Sequence, residues 1–206
     1  ADAAKYTWTS TCWSPTLDLF VAVSTVDTYN IDLPQRVATS PDGETWTLRN
    51  IPLDDAFNYA GGFAWKSVCW GNNMFVAVGF WEGGSGQQNV MTSPDGINWT
   101  IVPRFEGTSG TLLSVIWSPE QSKFVAVGDA GTTAAGNNTL IVATSTNGIN
   151  WTSNSTSSSA LKSIAWSPSL GMYVALPKNS SGIAAKSVDG ITWTDLYLPR
   201  TMALNQ

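Results

Sequence analysis

Ser93-Pro94-Asp95-Gly96-Ile97-Asn98-Trp99 is one of four copies of a phrase that reads Ser-x-[Asp/Asn]-Gly-x-x-Trp. The others are Ser40 to Trp46, Ser145 to Trp151 and Ser187 to Trp193, so the closing tryptophans recur at steps of 53, 52 and 42 residues. A second phrase, [Trp/Leu]-x-Ser-x-x-Trp, stands upstream of each copy, at Trp8 to Trp13, Trp65 to Trp70, Leu112 to Trp117 and Leu161 to Trp166. Between the two lies an apolar run: Phe20 to Val23, Phe75 to Val78, Phe124 to Val127 and Tyr173 to Leu176. A period of this length with several short apolar runs per unit marks propeller blades rather than helical solenoids.

Each unit is expected to hold four strands, in the first unit around Trp8 to Trp13 (A), Leu19 to Ser24 (B), Arg36 to Ser40 (C) and Thr45 to Arg49 (D). They are rich in Val, Ile, Thr and aromatics and bounded by turn residues. No sustained helical period occurs, so almost no helix is expected. The fold class is all-β, a propeller of four four-stranded antiparallel blades at about 6–50, 62–102, 110–153 and 159–197, in one domain of 206 residues with a tail at 198–206. In the C–D turn, Gly43, Gly96, Gly148 and Gly190 supply a positive φ, and the side-chain oxygens of Asp42, Asp95, Asn147 and Asp189 bond backbone N–H groups further on. Trp46, Trp99, Trp151 and Trp193 then have indoles to bury between neighbouring sheets.

On these phrases the chain resembles the Asp-box, or bacterial neuraminidase, repeat family, found in sialidases and other secreted glycan-active proteins. The match runs from Trp8 to about Leu196. The resemblance implies a propeller in which the Asp boxes are fold elements remote from any active site. Asn147 replaces the family's Asp, which a turn tolerates and a catalytic carboxylate would not. The sialidases' catalytic set comprises three arginines, a Tyr/Glu pair, an acid/base Asp and an Arg-Ile-Pro-type motif on six blades. It does not carry over to a chain with four arginines (Arg36, Arg49, Arg104, Arg200), no Arg-Ile-Pro and four blades. There is no His, which removes nucleophile–His triads. A glycoside hydrolase built on two loop carboxylates stays open as an alternative function.

Charged residues make up 12% of the chain and hydrophobic ones 43%, enough apolar material for a packed core. A net charge of −5 with scattered Lys and Arg argues against nucleic acid and anionic membranes, and no stretch is apolar enough to span a bilayer. Ala1 in place of an initiator Met is expected of a processed or trimmed N-terminus, left by secretory cleavage or by an expression boundary. Cys12 and Cys69 hold equivalent places in adjacent blades, too far apart for a bridge, and are expected to be small buried hydrophobes. No cofactor and no metal are expected; a loop calcium site would need carboxylate pairs such as Asp27 with Asp32 or Asp54 with Asp55, and no EF-hand-like ligand spacing occurs. Sequons occur at Asn98, Asn137, Asn150, Asn154 and Asn179.

The A–B and C–D turns lie on one face of such a blade and are alike in all four units. The B–C loops (25–35, 80–88, 129–139, 177–182) and D–A stretches (50–64, 103–111, 153–160) differ, which places binding residues on their face. Trp81, beside Glu82 in the Gly-rich segment Gly79 to Gly84, either stacks on a sugar ring or plugs the blade. Tyr29 with Asp27 and Asn30, Tyr59 with Phe57 and Asn58, Arg104 with Glu106, and Asp129 complete the candidate ligand residues. The leading expectation is a non-catalytic glycan-binding module, outside a cell, on its surface or on a virion, with a glycan or surface protein as partner. The second is a structural decoration or fibre protein. Four blades make a small ring, so a homo-oligomer, a larger assembly or a fragment is also expected, with the tail from Tyr197 packing across the seam.

Overall fold

The computed structural model describes residues 6–25, 35–52, 63–81, 88–103, 110–132, 138–156, 159–178 and 183–198. Sixteen strands in chain order build four antiparallel sheets, each a meander of four neighbours. Blade 1 holds β1 (Thr7–Ser14), β2 (Leu19–Thr25), β3 (Gln35–Ser40) and β4 (Thr47–Asn50). Blade 2 holds β5 (Phe63–Gly71), β6 (Met74–Trp81), β7 (Gln88–Ser93) and β8 (Thr100–Ile101). Blade 3 holds β9 (Thr111–Ser118), β10 (Lys123–Thr132), β11 (Asn138–Ser145) and β12 (Thr152–Thr156). Blade 4 holds β13 (Leu161–Ser167), β14 (Met172–Pro177), β15 (Ile183–Ser187) and β16 (Thr194–Tyr197). The helical content among the described residues is one 3-10 turn, Pro119–Gln121.

The strands reach further into the loop face than the sequence suggests. Gly79 and Asp129, expected at loop starts, are strand residues paired with Trp65 and with Thr111 and Leu140. Gly79 and Gly128 sit beside β-bulges where the facing strand comes close. A Cβ on Gly79 would stand 2.1 Å from the Ala64 carbonyl oxygen, and one on Gly128 1.9 Å from that of Thr111. These glycines therefore permit strand contact rather than loop freedom. Likewise Ser153–Thr156, expected in a D–A stretch, belongs to β12.

Because strand residues alternate in direction, each blade presents a front face to the next blade and a rear face to the preceding one. Three apolar clusters result. Val21, Val23 and Val37 of blade 1 pack on Val68, Phe75 and Trp99 of blade 2. Val76, Val78 and Val90 of blade 2 pack on Val115, Phe124 and Trp151 of blade 3. Val125, Val127 and Val142 of blade 3 pack on Ile164, Tyr173 and Ala185 of blade 4. The front-face serine of strand A adds a hydrogen bond at each of two junctions: Val68 N–H donates to Ser10 Oγ (3.2 Å) and Val115 N–H to Ser67 Oγ (3.2 Å).

Among the described residues no such cluster joins blade 4 to blade 1. The rear of every blade carries the same aromatic triad, with ring centroids about 4.5 and 6.4 Å apart in blade 1 (Trp13–Phe20–Trp46). Its counterparts are Trp70–Phe75–Trp99, Trp117–Phe124–Trp151 and Trp166–Tyr173–Trp193. Trp99 and Trp151 are only 5% and 7% exposed, as expected of an indole held between sheets, whereas Trp46 is 41% exposed, no apolar cluster of described residues packing behind blade 1. At the other end Leu176 is 42% exposed where its counterpart Val127 is fully buried. Of the tail expected from Tyr197 onward to pack across this seam, Tyr197 and Leu198 are exposed and 199–206 lies outside the described residues.

Candidate functional site

The four Asp boxes form nearly identical hydrogen-bonded turns. In blade 1 the Gly43 N–H donates to Ser40 Oγ (2.8 Å), and the Glu44 and Thr45 N–H groups donate to Asp42 Oδ1 (2.9 and 2.7 Å). The Ser40 hydroxyl donates to the same oxygen, and Trp46 Nε1–H donates to the Gly43 carbonyl (3.1 Å). Each glycine has a positive φ, from +72° to +78°, where a Cβ is disfavoured. Asn147 accepts the same two backbone bonds at 3.0 and 2.8 Å with its amide oxygen.

These bonds hold the carboxylates ionised. Backbone bonds from Thr45 and Glu44 lower Asp42 to a pKa of about 2. At Asp95 and Asp189 partial burial pulls the pKa upward, but the combined hydrogen bonds from the turn outweigh it and again leave about 2. A carboxylate so committed to its own turn has little capacity left for a ligand or a proton-transfer role.

The same face locks neighbouring blades. Asn72 Nδ2 donates to the Thr146 carbonyl (3.4 Å), Gln121 Nε2 to that of Val188 (2.6 Å), and Lys123 Nζ to that of Asp189 (2.8 Å), so the A–B turns of blades 2 and 3 hold the following blade's Asp box. Tyr173, in the place of Phe20, Phe75 and Phe124, bonds Ser118 Oγ and Gln121 Oε1, and its burial raises its pKa.

On the opposite face, Asp129 at the outer part of β10 meets Lys178, which follows β14. The ammonium donates to Asp129 Oδ2 at 2.6 Å, joining blades 3 and 4. Lys178 N–H also donates to the Ala160 carbonyl (2.8 Å), tying the end of β14 to the segment entering β13. In blade 2, Lys66 Nζ lies 5.2 Å from the centroid of the Phe80 ring. Neither lysine is singled out by the sequence, since Lys178 stands 49 residues from its partner and Lys66 occupies a bulge.

Of the sequence-selected ligand residues, Asp129 is described in full. Trp81 ends β6 opposite Phe63, so it is a strand residue rather than part of a free loop. Asp27, Tyr29, Tyr59, Glu82 and Arg104 lie outside the described residues, as do Asp32, Asp54 and Asp55. Among the described residues no three His, Cys, Asp or Glu side chains gather as a metal site. No helix there is long and apolar enough to cross a membrane. Cys12 and Cys69 are free thiols on the front faces of blades 1 and 2; burial pushes Cys12 up to about 12 and Cys69 well above its usual value.

The fold matches known propellers. Trypanosoma rangeli sialidase, solved with 2,3-difluorosialic acid as a covalent intermediate, aligns over 93% of this chain and 37% of its own at 13% identity, with a TM-score of 0.69. A nidogen/laminin complex aligns over 93% of this chain and 65% of its own at 10% identity (TM-score 0.60). An N-acetylgalactosamine deacetylase from F. plautii, solved with blood group B trisaccharide, aligns over 85% and 64% at 16% identity (TM-score 0.51). The likeness is one of fold alone. The chain spans less than two thirds of the length of each of these structures. No protein-family model and no curated protein sequence matches it.

Proposed function

We propose that this chain is a non-catalytic recognition module, working outside the cell or on a particle surface, that binds glycans through its B–C/D–A loop face. The observation that carries the reading is the division of labour between the two faces. On one, the Asp, Asn and Ser side chains of all four C–D turns are bonded within their own turns, and the A–B turns of blades 2 and 3 are bonded to the following blade. The other face carries the loops that differ between units, mounted on a rigid sheet stack, with Asp129 and Lys178 setting a carboxylate and an ammonium from two blades side by side. Such a pair offers an acceptor and a donor to sugar hydroxyls. The glycan-bound sialidase and deacetylase neighbours support the ligand class by fold analogy.

A glycan microarray with the purified protein tests the reading, run beside Asp129→Ala and Trp81→Ala and with mass spectrometry of the recovered sugars. Selective binding to intact sugars that both substitutions weaken supports it. Blank spots, or cleaved products, refute it. The uncovered end faces of blades 1 and 4 favour a second reading, a component of a protein assembly, which a blank array beside a stable protein complex would support.

A further inference from the structure

The rear of blade 1 and the front of blade 4 are the two unmatched ends of one repeated interface. At each internal junction a valine of the preceding strand B reaches the following blade's Asp-box glycine. A Cβ on Gly96 would stand 2.9 Å from Val21 Cγ2, one on Gly148 3.1 Å from Val76 Cγ2, and one on Gly190 2.8 Å from Val125 Cγ2. The series leaves Val174 with no glycine to meet. It leaves Gly43 with its own blade's Phe20 alone, at 3.6 Å. The serine bonds end the same way: Ser10 and Ser67 each accept a backbone N–H from the next blade, while Ser163, their counterpart in blade 4, is exposed. Thr11, whose N–H corresponds to those of Val68 and Val115, is exposed in blade 1.

The ends also differ from the internal junctions in charge, and in opposite senses. Lys186, exposed and paired across the sheet with Val174, stands where Thr39, Thr92 and Thr144 pair with Val21, Val76 and Val125. Glu44, in the first Asp box, stands where the other three carry Ile97, Ile149 and Ile191. Thus the uncovered front face carries a cation and the uncovered rear turn an anion.

We propose that these ends meet between chains: the front of blade 4 from a second copy docks on the rear of blade 1. Val174 then packs over Gly43, Ser163 accepts the Thr11 N–H, and Trp13 and Trp46 are covered as Trp70 and Trp99 are within the chain. Lys186 lies at the rim beside Glu44. Such a contact is head-to-tail, using different surfaces on the two partners, and both ends of each chain can be used at once.

Light scattering coupled to size exclusion, at tens of micromolar, tests this with the full chain and two single variants on exposed residues, Trp46→Asp for the rear face and Leu176→Asp for the front. Circular dichroism checks that both variants fold. Wild type is expected at a multiple of its 22.0 kDa chain mass. Each variant is also expected to associate less than wild type, because a chain lacking one end can no longer supply both. Mixing the variants is decisive: the intact front of Trp46→Asp fits the intact rear of Leu176→Asp, so the mixture should form a one-to-one heterodimer. Charge reversal at Lys186→Glu should weaken self-association and be rescued by adding Glu44→Lys. Monomeric wild type overturns the proposal, as does a mixture whose components do not combine.

Discussion

Replacing Gly96 by alanine measures how firmly one blade is seated on the next, and Gly43→Ala provides the internal control. Both glycines have a left-handed φ, +73° and +78°, so alanine at either position carries a backbone cost of about 1–2 kcal/mol. The positions differ in their surroundings. At Gly96 the new methyl would lie 2.9 Å from Val21 Cγ2, 3.1 Å from Leu19 Cδ2 and 3.2 Å from Phe75 Cε2. At Gly43 the nearest atom is Phe20 Cε2 at an ordinary 3.6 Å. Crowding a packed junction adds about 1–3 kcal/mol, which raises the total at Gly96 to roughly 2–5 kcal/mol. A destabilisation of 1 kcal/mol lowers the Tm of a domain this size by about 2–4 °C, so the two variants separate readily in thermal or urea unfolding. The comparison belongs in the Leu176→Asp background, where a second copy does not cover Gly43. Gly148→Ala should fall between them, because its nearest neighbour is the flexible Met74 Sδ at 2.9 Å. Equal losses at Gly43 and Gly96 would refute the account of the junctions.

Removing the Ser67 hydroxyl with Ser67→Ala leaves the buried Val115 N–H without its acceptor and should cost about 1–3 kcal/mol in urea unfolding, while Ser163→Ala in the monomeric background should be near neutral. The Asp boxes should make the fold sensitive to acid. Their folded pKa of about 2 lies below the ordinary 3.8, so their stabilisation is complete above 3.8 and is lost as pH falls through about 2. Combining Asp42→Asn with Asp189→Asn should flatten this acid limb in pH-dependent melts, since Asn147 already makes the same backbone bonds without titrating. Cys12 and Cys69 should resist alkylation at pH 8 in the native protein and react at once in denaturant, because burial raises both thiols.

The blade number, strand order and C–D turns were legible because repetition multiplies a weak local signal. One Asp-Gly pair is an ordinary turn, but four in phase with Phe-Val-Ala-Val runs and a second Trp phrase define a unit. The reach of the strands was not legible. Gly79 reads as a loop residue by type, yet its missing Cβ, like that of Gly128, admits the facing carbonyl at a bulge, a close approach visible only once the strands are paired. Trp46 is expected to be buried like Trp99 because the phrases match, and only the stacking order shows that among the described residues no blade packs behind blade 1. The Asp129–Lys178 pair was not legible for a related reason. Lys178 holds the repeat position of Asp129 itself, where blades 1 and 2 carry Thr25 and Phe80, so the repeat marks no charge pair there, and adjacency across blades depends on where two strands end.

The central functional claim is that ligands meet the B–C/D–A face and not the Asp-box face, and a backbone amide NMR titration with an oligosaccharide selected on the array tests it most directly. The account predicts shifts at Asp129, Lys178 and Phe80, with the amides of Gly43, Gly96, Gly148 and Gly190 unmoved; shifts concentrated at those glycines would contradict it.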